Sequence, residues 1–396
     1  MIEAVQRTTA GRARGEDAAA LGDFVARLDW VLMAAVGALV AYCLWAVDGI
    51  TRTDLGGSDL RRQAIYAAGG FVLFVAVLLV DPGVFRRYKR ALYVGTLLLI
   101  GVVLVIAPAT RGAKRWIDLG FFQLQPSEFG KVLFTLSIAG FLADRARRLG
   151  EWRTLLTACG LAVVPMALVA KQPDLGTALV YGASLFAILF VAGVAWRQLA
   201  IFGAAVALLA TFVLWAGPAM GVTILKPYQR DRLIGFVNPS KDPSGSTYNI
   251  TQSLIAVGAG GVQGRGVKGA TQTSLQYVPV NDSDFVFASL AEQRGFVGAS
   301  VLLLLYLLVV WRGLKVVAVA RDPFCAIVAG GIVFMFLFQV FVNVGITMGI
   351  APITGIPLPF LSVGGSSMVT NFLAIGILQA IHARSVVPRR ARSRRR

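Results

Sequence analysis

A short polar segment, Asn281-Asp282-Ser283-Asp284, immediately precedes a long apolar stretch of the chain. Helices commonly begin with one Asn, Asp or Ser side chain that caps a backbone N–H, and Asp282 or Ser283 is sufficient for that. Asp284 is then available for chemistry, and its carboxylate suits a general base that removes a proton from a hydroxyl group. A purely local capping role for Asp284 is the alternative.

Three more charged residues lie where apolar stretches begin. Glu128 and Lys131 are three residues apart, on one face of a helix, and Asp174 follows the turn that starts at Lys171. A charge at the centre of a membrane helix costs roughly 2.5 to 3.5 kcal/mol, so each is a candidate functional residue. Structurally, Glu128 and Lys131 would neutralise each other as an ion pair, and Asp174 would cap its helix.

A basic and aromatic stretch precedes Glu128. It contains Arg111, Lys114, Arg115 and Trp116. Guanidinium and ammonium groups suit phosphate, so this stretch is predicted to bind the phosphates of a lipid headgroup. A surface cluster without function is the alternative.

The composition indicates which elements position these residues. The chain is 57% hydrophobic and only 15% charged, with a mean hydropathy of +0.72. Soluble domains are nearer a quarter charged. The apolar runs are continuous over about 20 residues, which favours membrane-spanning helices over a barrel. The predicted fold class is therefore an all-α polytopic membrane protein.

About ten transmembrane helices are predicted. The apolar stretches lie near residues 28–47, 62–80, 91–107, 127–143, 155–170, 175–194, 198–216, 285–311, 323–347 and 366–382. Lys and Arg concentrate in the segments that share one side with both termini. The positive-inside rule therefore places the N and C termini in the cytoplasm.

The spans also define the predicted domains. Residues 1–27 are predicted to be a disordered cytoplasmic tail, 28–384 a transmembrane domain, and 385–396 a basic cytoplasmic tail attracted to membrane lipids. Residues 217–283 form one long extracellular loop between the seventh and eighth helices. Long loops of this kind tend to be functional.

The remaining composition excludes several classes of function. The formal net charge of +18 follows membrane topology, so no nucleic-acid partner is predicted. The three cysteines lie in apolar runs without a CxxC spacing, and His382 is the only histidine. Neither a disulfide framework nor a histidine or thiolate metal site is expected.

Two loops have unusual composition. The long loop contains a glycine-rich stretch at 258–269, whose glycines are expected to let the backbone pass close to a bulky substrate or turn across the membrane surface. Residues 352–360 contain three prolines and cannot form a regular helix. This loop is predicted to be rigid and partly re-entrant, or else a tight connector.

Together these motifs resemble the SEDS family (shape, elongation, division and sporulation), and most closely its rod-shape-determining type. The resemblance extends from Leu28-Asp29-Trp30 to the last span. It is carried by long motifs in the same order: PSEFGK at Pro126, KQPDLGTA at Lys171, YQRDRL and FVNPSKDPSGSTYNITQSLIAVGAGG from Tyr228, SDFVFA at Ser283, and NVGITMG followed by PITGIPLPFLSVGGSS.

The resemblance implies a peptidoglycan glycosyltransferase that polymerises lipid II on the outer face of the bacterial plasma membrane. It implies a class B penicillin-binding protein as the crosslinking partner. The α-linked pyrophosphate donor and β-linked product imply inversion in a single displacement, which needs a base and no covalent intermediate. Cationic side chains or a divalent cation such as Mg²⁺ or Mn²⁺ would stabilise the departing pyrophosphate.

The same resemblance assigns residues to these roles. Asp284 aligns with the catalytic aspartate of the family. The predicted substrate-binding residues are Lys114, Arg115, Glu128, Lys131, Asp174, Arg230 and Arg232. Two positions depart from the family pattern: Ala291-Glu292-Gln293-Arg294-Gly295, where two glutamates and a leucine are usual, and Val363, where tyrosine is common.

Three rival functions are a lipid II flippase, a non-catalytic scaffold for the crosslinking enzyme, and a division or sporulation paralogue. A transport path needs charged residues along its whole depth. Here the charges cluster on the outer side, which favours chemistry at that face.

Overall fold

The computed structural model describes residues 22–51, 58–107, 115–120, 122–213, 220, 236, 247–278 and 283–386. The helices, numbered in chain order, are α1 Trp30–Thr51, α2 Ser58–Leu79, α3 Pro82–Arg87, α4 Lys89–Ile106, α5 Pro126–Ala143, α6 Trp152–Lys171, α7 Leu175–Ala192, α8 Trp196–Thr211, α9 Tyr248–Gly260, α10 Gly266–Gly269, α11 Thr271–Ser274, α12 Val286–Val319, α13 Pro323–Thr347 and α14 Gly365–Ser385. Two short strands, β1 Ile117–Asp118 and β2 Gln123–Leu124, pair antiparallel.

The prediction of a polytopic helical membrane protein is confirmed, and each predicted span coincides with a long helix. Among the described residues, eight helices are long and apolar enough to cross a membrane. The other two predicted spans correspond to α5, which contains Glu128 and Lys131, and to α8, which is 16 residues long. Within the predicted tail at 1–27, residues 22–26 are helical and the earlier ones lie outside the described residues.

Helices α13 and α14 occupy the centre of the bundle. In an 18-residue stretch of each, 72% of α13 and 83% of α14 residues are buried, against 17% in α4. Helix α14 packs along α2, and α13 packs against α7 and α12. The centre is not wholly apolar, because Thr135, Ser184, Gln339, Asn343 and Thr370 are all buried there.

Helix α12 breaks at Gly295, whose φ of 65° and ψ of −166° are not helical. The predicted span at 285–311 is present but contains this break, and the helix extends further, to Val319. The break exposes backbone N–H groups at the start of the second half. The carbonyls of Gly261 and Val262 accept from the N–H groups of Phe296 and Val297 at 2.9 and 3.1 Å, so the loop caps the new helix end.

The glycine-rich stretch can approach the break in α12 this closely because its glycines have no side chains. A Cβ on Gly260 would lie 2.0 Å from the carbonyl oxygen of Ala291, and one on Gly264 would lie 2.3 Å from that of Gln293. Gly260 and Gly264 therefore allow close approach to the protein's own backbone, and an approach of this stretch to a substrate stays a prediction. Buried Glu292 accepts from the Gln272 and Thr273 N–H groups at 2.9 and 2.8 Å, which caps α11.

A basic cluster marks the end of the bundle at which α5 finishes. Arg86 and Lys89 contact the Asp144 carboxylate at 3.0 and 2.5 Å. Burial raises the pKa of the Asp144 carboxyl, but the bonds from Lys89 and Arg86 outweigh burial and hold the pKa below its ordinary value. Pro126, at the other end of α5, is about 27 Å away along the helix axis.

The same end of the bundle is closed by a buried ion pair between α12 and the start of α1. Arg312 donates through Nε and Nη2 to Asp29 Oδ2 at 2.9 and 2.6 Å. Asp29 is 2% exposed, and Gln379 of α14 bonds both its N–H and its carbonyl. This network fixes three helices to one another.

We predict that Arg312→Met lowers the free energy of unfolding by roughly 3 to 5 kcal/mol, because Asp29 is left buried without its counter-charge. Thermal unfolding of the purified protein in detergent measures this loss. Asp29→Asn combined with Arg312→Met should recover part of it. Lys315→Met, at an exposed position in the same helix, is the control, and equal melting temperatures for the two single variants would contradict the prediction.

Candidate active site

Four helix starts and the proline-rich loop 351–364 meet at one end of the bundle, where α5, α7, α12 and α14 begin. Direct contacts connect them in sequence. Ser366 Oγ donates to the Gln123 carbonyl and accepts from the Gln125 N–H, which joins α14 to the hairpin before α5. Gln125 Nε2 donates to Asp174 Oδ2 at 3.3 Å, which joins the hairpin to α7. The predicted site residues on these segments therefore share one region.

Asp284 lies at the start of α12 with a partly exposed side chain. Ser283 Oγ is 3.4 Å from Asp284 Oδ1, and a Cβ on Gly355 would lie 3.7 Å from Oδ2. Asn343 of α13 donates to the Asp284 carbonyl at 3.1 Å. Asp284 is thus held beside the proline-rich loop 351–364, and its side chain is partly exposed.

The proline-rich loop is folded back into the bundle, as predicted. Ile356, Leu358 and Phe360 are at most 1% exposed. Tyr306 donates to the Pro359 carbonyl at 2.5 Å, and Gln63 donates to the carbonyls of Phe360 and Ser362 at 3.2 and 3.1 Å. These bonds satisfy backbone carbonyls that lipid cannot satisfy.

Asp174 caps α7, one of its two predicted roles. Its carboxylate accepts from the Thr177 N–H at 3.1 Å and from the Thr177 hydroxyl at 2.9 Å, and the residue is 1% exposed. Two residues further on, a Cβ on Gly176 would lie 2.2 Å from the Thr354 carbonyl oxygen. The start of α7 therefore touches the same loop that borders Asp284.

Arg115 holds the turn before α7. Its Nε donates to the Gln172 carbonyl at 3.1 Å, and its Nη2 donates to the Pro173 carbonyl. A guanidinium has five N–H donors, so these two bonds leave three for other acceptors. The side chain is partly exposed, so its position is compatible with a phosphate ligand.

Glu128 and Lys131 form a buried ion pair with a separation of 2.8 Å. They are 1% and 2% exposed, so the pair is screened from solvent. Tyr181 of α7 donates to the Ser127 carbonyl at 3.2 Å and packs over the same turn of α5. The structural alternative predicted from the sequence is thus present, and a role in substrate binding stays a prediction.

Three predicted substrate-binding residues, Lys114, Arg230 and Arg232, lie outside the described residues. In contrast, sequence reasoning did not single out Gln63, Gln125, Asn343 and Ser362, which connect the segments of the site. Their only signal was polarity within or beside apolar stretches. No group of three His, Cys, Asp or Glu residues suited to a metal ion occurs within the described part of the chain.

The fold and the site together define a multi-pass helical membrane protein with a polar, loop-covered site at one end of the bundle. Residues 25–386 match the family of FtsW, RodA and SpoVE, described as cell cycle proteins. This chain belongs to that family, which is the SEDS family that its motifs resemble.

Individual relatives agree with this assignment. Peptidoglycan glycosyltransferase MrdB of Escherichia coli (strain K12) is 36% identical over 355 residues, which cover 90% of this chain and 93% of the relative. Peptidoglycan glycosyltransferase RodA of Treponema pallidum is 31% identical, over 92% of this chain and 98% of the relative. Stage V sporulation protein E of Bacillus subtilis is 33% identical, over 88% and 93%.

Solved structures are similar as well. One is a chain from a structure described as structural coordination of polymerization and crosslinking by a peptidoglycan synthase complex. Its TM-score is 0.78 and its identity is 30%, over 91% of this chain and 99% of the other. The rod shape determining protein RodA of Thermus thermophilus has a TM-score of 0.67 and 28% identity, over 91% and 98%.

We predict that Gly176→Ala lowers the melting temperature, because the new methyl group collides with the Thr354 carbonyl and overpacking typically costs about 1 to 3 kcal/mol. Gly182→Ala in the same helix is the matched control, since its Cβ would meet only Met166 Cε, at an ordinary 3.4 Å. Alanine favours a helix more than glycine does, so the control should be neutral or stabilising. Equal behaviour of the two variants would refute the contact.

Proposed function

We propose that this chain is a peptidoglycan glycosyltransferase that polymerises lipid II into glycan strands for cell elongation and shape, with Asp284 as the general base. The observation that supports this most is the position of Asp284, a partly exposed carboxylate beside a buried loop that α2, α12 and α13 fix in place. The names of the relatives supply the reaction class.

The proposed reaction is a single displacement at the anomeric carbon of the donor. Asp284 accepts the proton of the acceptor 4-hydroxyl as its oxygen forms the new β-glycosidic bond, and the bond to undecaprenyl pyrophosphate breaks with inversion. The remaining guanidinium donors of Arg115, together with Lys114, Arg230 and Arg232, bind the pyrophosphate. The pyrophosphate leaves with the electron pair of the broken bond.

A divalent cation, Mg²⁺ or Mn²⁺, would supply further charge neutralisation at the pyrophosphate when bound. Mg²⁺ is usually held by one or two carboxylates together with substrate phosphates. This kind of binding needs no cluster of three protein ligands.

We further propose that the site faces the outside of the bacterial plasma membrane and works beside a class B penicillin-binding protein. Support for the orientation comes from the basic end of the bundle, which is opposite Asp284, and from the positive-inside rule. Support for the partner comes from a structural neighbour that belongs to a complex coordinating polymerization and crosslinking.

The central helices favour an enzyme over a flippase. Neither α7 nor α13 contains a charged residue, although the two pack against each other in the middle of the bundle. A headgroup path through the protein is expected to place charged residues along its whole depth. The charged candidates Glu128, Asp174 and Asp284 all lie near one end.

We predict that Asp284→Asn reduces polymerisation of labelled lipid II by about 10² to 10⁴, because the amide cannot accept the proton. Glycan products resolved on a gel, with purified full-length protein and its penicillin-binding partner, measure the rate. Asp322→Asn is the matched control, since Asp322 caps α13 at the opposite end by accepting from the Cys325 N–H at 3.0 Å. A folded Asp284→Asn protein with the wild-type rate would exclude this mechanism.

We predict that Lys131→Met alone destabilises the protein, because Glu128 remains as an unpaired buried charge. The double variant Glu128→Gln/Lys131→Met should regain thermal stability yet polymerise lipid II at least about tenfold more slowly, as expected if the pair also orders the substrate-binding end of α5. Melting temperature and polymerisation rate are measured on the same samples. Wild-type activity of the double variant would assign the pair a structural role only.

A further inference from the structure

The main chain that carries Asp284 is held by two buried side chains, Asn343 and Ser362. Asn343 of α13 is 0% exposed, and its Nδ2 donates to the Asp284 carbonyl at 3.1 Å and to the Ile356 carbonyl at 2.8 Å. One carboxamide therefore bridges the start of α12 and the proline-rich loop. Ser362 connects the same two segments, since its Oγ donates to the Ser283 carbonyl at 2.6 Å and accepts from the Leu358 N–H at 2.8 Å.

The orientation of the Asn343 amide follows from these partners. Both are carbonyl oxygens, which only accept, so the nitrogen must face them and Oδ1 must face the other way. Oδ1 is buried and has no hydrogen-bond partner among the described protein groups. An unsatisfied buried acceptor is costly, so a donor is needed at this position.

Gln339 lies one helical turn further into the bundle on the same face of α13, since residues four apart are neighbours on a helix. It is 1% exposed, and neither its Nε2 nor its Oε1 has a hydrogen-bond partner within the described residues. Side chains at this spacing have Cβ atoms about 5 to 6 Å apart, which leaves room for a bridging water. Buried waters typically satisfy orphaned polar groups of this kind.

We propose that Asn343 and Gln339 form a buried, water-bridged pair that positions Asp284 for proton transfer. The water accepts from Gln339 Nε2 and donates to Asn343 Oδ1, which keeps both N–H groups of Asn343 on the two carbonyls. Asn343 is a positioning residue, because it bonds the backbone carbonyl of Asp284 and acts on the carboxylate only through that backbone. This inference rests on the proposed role of Asp284 as the base.

The principal test is a double-mutant cycle on the full-length protein with its partner and labelled lipid II. Asn343→Ala should lower kcat by about 10 to 100-fold with KM unchanged, since a displacement of 1 Å can cost about 10²-fold. In an Asp284→Glu background, whose carboxylate is already displaced, Asn343→Ala should lower kcat by less than about threefold. Additive losses, or an unchanged kcat in Asn343→Ala, would overturn the positioning role.

Gln339→Leu tests whether a water bridges Gln339 and Asn343. It also tests the positioning role if Asn343→Ala does not fold. With the water present, the substitution removes its donor, and both kcat and the melting temperature should fall. If the Gln339 amide instead has no partner, leucine should raise the melting temperature and leave kcat unchanged, which would overturn the proposal. Gln198→Leu is the matched control, because Gln198 is also buried and donates to the Gly150 carbonyl at 2.7 Å far from Asp284.

The outcomes also separate this inference from the proposed function. An inactive Asp284→Asn protein together with a fully active Asn343→Ala protein refutes the positioning role alone. A fully active Asp284→Asn protein refutes the base on which both depend.

Discussion

Non-helical backbone inside a membrane protein must find all of its hydrogen-bond partners within the protein, and the site depends on how this requirement is met. Residues 351–364 leave helical geometry while several of them are buried. Their carbonyls are satisfied by side chains from surrounding helices, such as Asn343, Tyr306 and Gln63. Each of these side chains donates hydrogen bonds to the loop, so the loop, the bundle and Asp284 form one connected network.

Buried charges are likewise satisfied within the protein. Glu128 and Lys131 neutralise each other within one turn of α5, and Asp29 and Arg312 do so between two helices. Breaking either pair costs more than the pair gains by forming, because removing one member leaves a desolvated charge. Asp284 differs from these four residues in that its side chain is partly exposed. That difference, more than its charge, distinguishes it as a candidate for chemistry.

The helices could be predicted from the sequence because hydropathy is a local property of about 20 residues, and a span such as Pro323–Thr347 needs no knowledge of its neighbours. The break at Gly295 could not be predicted in this way, because it depends on the distant Gly261-Val262 backbone. The carbonyls of these two residues accept from the N–H groups that follow the break. The same division applies to the site. Glu128, Asp174 and Asp284 are conspicuous as charges in apolar surroundings, whereas the importance of Asn343 lies in two carbonyls that only the fold brings to it.

The break in α12 divides that helix into two bodies with different attachments. The short body, from Val286 to Arg294, is joined to the α9–α11 segment through Glu292 and Arg265. The long body, from Phe296 to Val319, is anchored to Asp29 through Arg312 and touches the proline-rich loop through Tyr306. The two bodies therefore reach the Asp284 region by separate routes, the short body through the chain itself and the long body through the Tyr306 bond to the proline-rich loop. Because Asn343 and Ser362 each bond both the loop and residues 283–284, a shift of either body is transmitted to the backbone of Asp284.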